Sequence, residues 1–247
     1  MKTGSEIIVD VLAEEGVETI FGYSGGAILP TYDEVFKYNE ANPEKQMPLI
    51  VPSNEQGAGF MASGYARSSG KPGVVMVTSG PGATNTVTPV RDAMADSIPM
   101  VIICGQVSRQ SIGSDAFQEA PITSVMGSVA KHVFLVTNEN KLAATLKAAF
   151  EIAKSGRPGP VVVDIPKDVQ TAEISYEDYE HANISAYSTR ILTIQESRLT
   201  QEKSSEFFEH LSHSKKPLIY FGGGVISANA SEELREFIDY FNLPAVS

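Results

Sequence analysis

Residues 48–85 read PLIVPSNEQGAGFMASGYARSSGKPGVVMVTSGPGATN, and this stretch decides the fold. The apolar run Leu49-Ile50-Val51 breaks at Pro-Ser-Asn, and Glu55 opens a helical pattern with Ala58, Met61, Ala62 and Tyr65 on one face. The Glu55 carboxylate is therefore expected at the carboxyl end of a strand. The small residues Gly57, Ala58, Gly59, Ala62, Ser63 and Gly64 let that helix pack closely or admit a flat ligand. A second apolar run, Val74 to Val77, ends in Gly80-Pro81-Gly82-Ala83-Thr84-Asn85, a turn into a further helix start. In open α/β sheets, crevices beyond such strand ends are where ligands bind. By position alone Glu55 could equally be a first-turn acid favoured by the helix dipole.

Outward from this stretch the same rhythm continues. Ile7, Ile8, Val11 and Leu12 recur at helical spacing, Gly16 closes that helix, and Thr19 to Tyr23 reads as a strand. Ser24-Gly25-Gly26-Ala27 then turns into a helix from Ile28 to Tyr38, its glycines permitting close backbone approach. Thr84 to Ala95 is expected as one helix, Pro99 to Cys104 as a buried strand, Val133 to Val136 as another, and Lys141 to Ala153 as an amphipathic helix. Val161 to Ile165 is the last strand, with Lys167 just past its end. Strands alternating with helices predict repeated βαβ units: an open, doubly wound, mostly parallel α/β sheet.

Composition bounds the function. The chain has 247 residues, 42% hydrophobic content and a net charge of −11. That charge disfavours nucleic acid and anionic membrane as partners, since both need a basic face. The single cysteine, Cys104, sits in an apolar run and reads as a buried thiol, in keeping with a reducing compartment. No stretch is long and apolar enough to span a membrane, and Gly4-Ser5-Glu6 leads directly into a helix, so a cytoplasmic enzyme is expected. His132, His181, His210 and His213 lack partners at metal-site spacing, so no metal ligands are assigned.

Residues 171–200 lose apolar periodicity and read as a linker, setting apart 1–170 from a unit at 201–247. In the latter, Phe207, Phe208 and Leu211 form a helical face, Leu218 to Phe221 a strand leading into Gly222-Gly223-Gly224, and Glu232 to Phe241 a helix. These elements read as the beginning of a second, Rossmann-like α/β domain.

Glu-Gln-Gly at a helix start, followed by GYAR.SGKPG and TSGPGATN, resembles the pyrimidine-binding domain of thiamine-diphosphate enzymes. With FGY.GGA at 21–27, GQV…IG.DAFQE at 105–119 and GRPGPV..D.PKDV at 156–169, the chain resembles the acetolactate synthase (acetohydroxyacid synthase) catalytic subunits. The resemblance implies decarboxylation of pyruvate and condensation with a second 2-oxo acid, as in branched-chain amino acid biosynthesis. It implies thiamine diphosphate, FAD and Mg2+ as cofactors, and a homodimer or homotetramer, with or without a regulatory subunit.

Carried over residue by residue, Glu55 would hydrogen-bond the aminopyrimidine and act with Gln118 as a catalytic group. Tyr23, Gly25, Gly26, Pro81, Asn85 and Gln118 would line thiamine diphosphate. Arg157 and Gly222, Gly223 and Gly224 would meet FAD, and Ser108, Ala116, Phe117 and Lys167 would line the substrate channel.

Three residues depart from the family pattern: Ser24 and Ser108 stand where proline is usual, and Asn54 where histidine is usual. Ser108 borders the channel where sulfonylurea-type inhibitors lodge in the resembled enzymes, so lower sensitivity to them is expected. The Mg2+-binding GDG…N motif of the family's carboxyl-terminal domain is not found, so the chain is expected to carry half of the site. Read as a truncated product or fragment, it would be inactive alone. Two other readings stay open: a catalytically silent binding module, or a related carboligase or decarboxylase acting on another 2-oxo acid.

Overall fold

The computed structural model describes residues 1–175 and 185–247, and the chain divides into two compact units, Met1–Ile191 and Leu192–Ser247. The first unit is built on a six-stranded parallel sheet. Its strands are β2 (Ile20–Tyr23), β3 (Leu49–Ile50), β4 (Gly73–Val77), β5 (Met100–Gln106), β6 (His132–Leu135) and β7 (Pro160–Pro166), in the order β3-β2-β4-β5-β7-β6. Every pair is parallel, so all carboxyl ends share one edge. The chain winds one way from β2 to β3 and the other way from β4 onward. The crevice between β2 and β4 is thus the switch point at which open α/β sheets receive ligands.

The central strands explain themselves. GVVMV of β4 and MVIICGQ of β5 are buried at every residue, as strands covered on both faces must be. One face carries α1 (Gly4–Glu14), α2 (Leu29–Ala41) and α7 (Leu142–Lys154), through Ile8, Leu12, Val35, Leu146 and Phe150. The other carries α3 (Glu55–Ser69), α5 (Val87–Asp96) and α6 (Ile122–Gly127), through Ala58, Ala62, Val90, Ala93 and Met126.

Several elements differ from the sequence expectation. The buried face of α3 is Ala58, Gly59, Ala62, Ser63 and Ala66, whereas Met61 is 45% exposed. The reason is close approach. A Cβ on Gly59 would fall 2.3 Å from Pro89 Cγ, and one on Gly73 would fall 2.2 Å from the Ala62 carbonyl oxygen, so small residues face inward. The expected helix from Thr84 to Ala95 is split into α4 (Pro81–Thr84) and α5. Pro89 has no N–H for the Asn85 carbonyl, so it is tolerated only in a first turn, and a new helix must begin just before it. The two-residue strand β1 (Lys2–Thr3), antiparallel to β8 (Glu173–Ile174), was not foreseen. Thr3 then caps α1 reciprocally with Glu6.

Within 171–200, read from sequence as a linker, lie β8 and a helix, Ser185–Arg198, that crosses the division between the units. Part of that segment, including His181, lies outside the described residues. The second unit pairs strands Ile219–Tyr220 and Ala245–Val246 in parallel, beside helices Gln201–His213, Gly223–Ser227 and Ser231–Phe241. Its packing centres on rings: Phe207 meets Phe237 at 6.0 Å and Phe208 meets Phe241 at 5.8 Å between centroids. No helix among the described residues is long and apolar enough to cross a membrane.

Candidate active site

Five loops leave the carboxyl edge of the parallel sheet, after β2, β3, β4, β5 and β7, and together they carry the first unit's expected thiamine-diphosphate and substrate-channel residues. The loop after β3 ends in Asn54, whose side chain caps α3 by accepting the Gly57 N–H at 2.8 Å. Asn54 therefore has a structural duty that a histidine would perform less well. Glu55 follows as the first residue of α3 and is 9% exposed. Its Oε2 accepts the Asn85 side-chain amide at 2.9 Å.

Thr78, directly after β4, links the two glycine turns. Its Oγ1 accepts the Ala27 N–H at 3.2 Å. A Cβ on Gly25 would fall 2.5 Å from Thr78 Cγ2, and one on Gly82 would fall 2.7 Å from the same methyl and 3.6 Å from Glu55 Oε1. The glycines at 25 and 82 thus leave a cradle whose floor is Thr78 and whose wall is the Glu55 carboxylate. Gly26 behaves differently, because nothing lies within 4 Å of a Cβ placed there.

Two buried side chains support the turn after β2. Gln170 is fully buried; its Nε2 donates to the Ala27 carbonyl at 2.7 Å and to the Ile165 carbonyl at 3.1 Å, and its Oε1 accepts the Thr31 hydroxyl at 2.9 Å. Tyr32 Oη donates to the Met76 carbonyl at 2.8 Å, at the spot a Gly22 side chain would occupy. Burial, and after it the Glu55 charge, push the Tyr32 hydroxyl well above the usual tyrosine range. Tyr23 itself is 40% exposed at the end of β2.

The loop after β5 reaches the same edge. Gly80, at φ +54°, is pressed against Gln118, whose carbonyl oxygen would be 2.4 Å from a Cβ there. Pro81 begins α4 beside it. Gln118 also has positive φ, +57°, as does Asp115 at +56°. The carboxylate of Glu119 holds this shape by accepting the Gly113 and Ala116 N–H groups, the latter at 3.0 Å, and those bonds lower its pKa. Phe117 is left 88% exposed. Ser108 sits at φ −58°, ψ 150°, with its hydroxyl 3.1 Å from that of Ser111. Asp168 clamps the loop's beginning, accepting Arg109 N at 2.9 Å and Nε at 2.6 Å, while Arg109 Nη1 donates to Glu139 at 2.5 Å. Asp168 is held below the usual carboxylate range by these bonds. The adjacent Lys167 is exposed at the start of α8 (Lys167–Thr171).

The structure therefore brings Glu55, Asn85, Gly25 and the Gly80–Gln118 contact to one cradle. Arg157 lies elsewhere: its Nε donates to Ser97 Oγ at 2.8 Å and its Nη2 to the Met94 and Ala95 carbonyls, capping the end of α5. Gly222 precedes the short helix Gly223–Ser227 of the second unit, and no atom crowds a Cβ at 222, 223 or 224. Among the described residues no cluster of His, Cys, Asp and Glu could hold a metal ion.

Sequence reasoning missed Thr78 and Gln170. The signal for Thr78 was present, a β-branched hydroxyl residue between a strand and a glycine turn. Gln170 gave none, because its partners are carbonyls far away in sequence.

Residues 2–128 match the family described as thiamine pyrophosphate enzyme, N-terminal TPP binding domain, and residues 204–247 match its central domain. The acetolactate synthase large subunit of Corynebacterium glutamicum is 44% identical over 99% of this chain. The mitochondrial acetolactate synthase catalytic subunit of Saccharomyces cerevisiae is 42% identical over 99%, and the Haemophilus influenzae large subunit 44% over 99%. The chain spans 37%, 35% and 41% of the length of these relatives, respectively.

Proposed function

The chain belongs to the thiamine pyrophosphate enzymes, and from that premise we propose that it supplies the pyrimidine-side half of an acetolactate synthase active site. The observation that carries the reading is the cradle between β2 and β4. A buried carboxylate with one oxygen held by Asn85 stands beside two turns kept free of side chains by Gly25 and Gly82. An aminopyrimidine ring is flat and offers ring nitrogens to a carboxylate, so these residues fit it.

When bound, thiamine diphosphate supplies the electron sink that decarboxylation of a 2-oxo acid requires. The chain's part is to bind and orient. Glu55 would hold or yield a proton at a pyrimidine ring nitrogen, and Asn85, bonded to Oε2, leaves the other carboxylate oxygen free to do so. Tyr23, Pro81 and Gln118 flank the cradle. Ser108, Ala116, Phe117 and Lys167 border the approach for pyruvate and the acceptor 2-oxo acid.

FAD and Mg2+ belong to the same proposal, the latter held outside these residues. Gly222 to Gly224 leave room for FAD, whereas Arg157 would have to surrender its cap on α5 to reach it. Residues 1–170 would be the pyrimidine domain, 171–200 the connection and 201–247 the opening of the central domain. A cytosolic homodimer or homotetramer, with or without a regulatory subunit, completes the proposal.

The test joins this chain to the remaining portion of an acetolactate synthase large subunit and measures acetolactate formed from pyruvate with thiamine diphosphate, Mg2+ and FAD. Activity that Glu55→Gln abolishes supports the reading. Activity that survives Glu55→Gln overturns it. Consumption of another 2-oxo acid without acetolactate supports the second reading, a related carboligase, which the departure at Asn54 favours.

A further inference from the structure

The loop that leaves β5 and returns before α6 is tied at its neck by one side chain. Gln106, the last residue of β5, is 3% exposed and donates Nε2 to the Ala120 carbonyl at 3.1 Å and to Asp164 Oδ2 at 2.9 Å. Its Oε1 accepts the Val107 N–H at 2.9 Å. Asp164, on β7, is 1% exposed, and among the described residues its Oδ1 is the one buried side-chain nitrogen or oxygen without a hydrogen-bond partner. The reaction proposed above uses neither residue.

Alternation along β7 turns Asp164 to the face of Val162, which packs with Cys104, Ile122 and Met126. Charged groups from the neighbouring elements are engaged elsewhere or distant. Helix α6 (ITSVMG) has none; on α5, Asp92 and Asp96 pair with Arg67, and Arg91 is exposed. Lys131 and His132 lie beside Pro160 and Val161, toward the other end of β7. Arg109, Asp168 and Glu139 pair with one another. The titratable side chain that the Asp164 charge does reach is Cys104, its register partner on β5.

We propose that Asp164 and Gln106 are a buried positioning pair that holds the two ends of the 107–121 loop together, and that loss of the Asp164 proton opens this neck. Ionised in place, Asp164 would leave Oδ1 as an anionic oxygen among apolar side chains with no donor. Opening the neck admits water to it, so the charged form belongs to the open loop. Burial pushes the Asp164 carboxyl up to about 7 against the pull of the Gln106 hydrogen bond, which puts the transition near neutrality.

Opening that exposes Asp164 releases its proton. Between the ordinary aspartate value near 4 and about 7, the opening constant therefore rises roughly tenfold per pH unit, then levels off. Hydrogen exchange of the 247-residue chain tests this, with protection factors corrected for the intrinsic pH dependence of exchange. The expected result is a tenfold loss of protection per pH unit in 107–121 between pH 5 and 7, at protection well below that of 73–77 in β4, which exchanges through global unfolding.

Asp164→Asn should flatten that slope. Gln106→Met, which cuts the tether and leaves the acid, should flatten it too, so that failure of one variant to fold leaves a test. A pH-independent loop in the parent chain, loop protection equal to that of β4 at every pH, or a slope retained by a folded variant overturns the proposal.

Discussion

The Asn85 side-chain amide donates to the Glu55 carboxylate across 2.9 Å, joining the turn after β4 to the helix start after β3. The two residues are thirty apart in sequence and have no contact that local pattern could reveal. A double-mutant cycle of Glu55→Ala and Asn85→Ala in urea denaturation should give a coupling of about 1 kcal/mol, modest because Asn85 is exposed. In the completed enzyme, Glu55→Gln should cost at least about a hundredfold in turnover, the usual scale for removing an acid-base group.

The two glycines of the turn after β2 should respond unequally. Gly25→Ala drives a methyl into Thr78, and the overpacking costs on the order of 1–3 kcal/mol. Gly26→Ala meets open space and should leave the denaturation midpoint unchanged or slightly raised. Thr78→Ala should rescue part of the Gly25→Ala loss.

Gln170→Leu should destabilise the chain by about 2–4 kcal/mol, since it strips partners from the buried Thr31 hydroxyl and from two carbonyls. Chemical denaturation measures the loss. Weaker thiamine diphosphate binding should accompany it, because Ala27 belongs to the cradle turn.

Asp164 gives a pH dependence of stability opposite to that of an ion-paired acid. Its folded pKa, about 7, lies above the unfolded value near 4, so the folded chain holds the extra proton between them. The stabilisation is full below pH 4 and is lost as pH rises to about 7. Relative to the parent chain, Asp164→Asn should therefore gain stability steadily from pH 5 to about pH 7 and then hold level to pH 8. Paired melting curves across that range measure the difference.

Ser108 occupies φ −58°, an angle proline adopts, so Ser108→Pro should fold and gain about 0.4–1 kcal/mol through the unfolded state. It forfeits the contact to Ser111. In the completed enzyme the same change should raise sensitivity to sulfonylurea-type inhibitors, measured by inhibition of acetolactate formation.

The parallel sheet was legible because its strands are continuous apolar runs bounded by glycine and proline turns, as in VVMV before TSGPG. Glu55 was legible as a strand-end acid. Its surroundings were not, since Asn85, Thr78 and Gln170 reach it or its turn through contacts that only the strand order creates. Met61 was misplaced because helical periodicity cannot register that glycines at 59 and 73 bring backbones together and turn larger side chains outward. The break between α4 and α5 could have been read from Pro89.

The antiparallel pairing of Lys2–Thr3 with Glu173–Ile174 places the beginning of the first unit one strand spacing from the end of its sheet body. Such a body is a cassette whose two ends emerge together. It can be inserted into a host protein, or circularly permuted, through one short bridge across those ends, and that bridge would lie at the carboxyl edge, where the adjacent Gln170 holds the Ala27 turn.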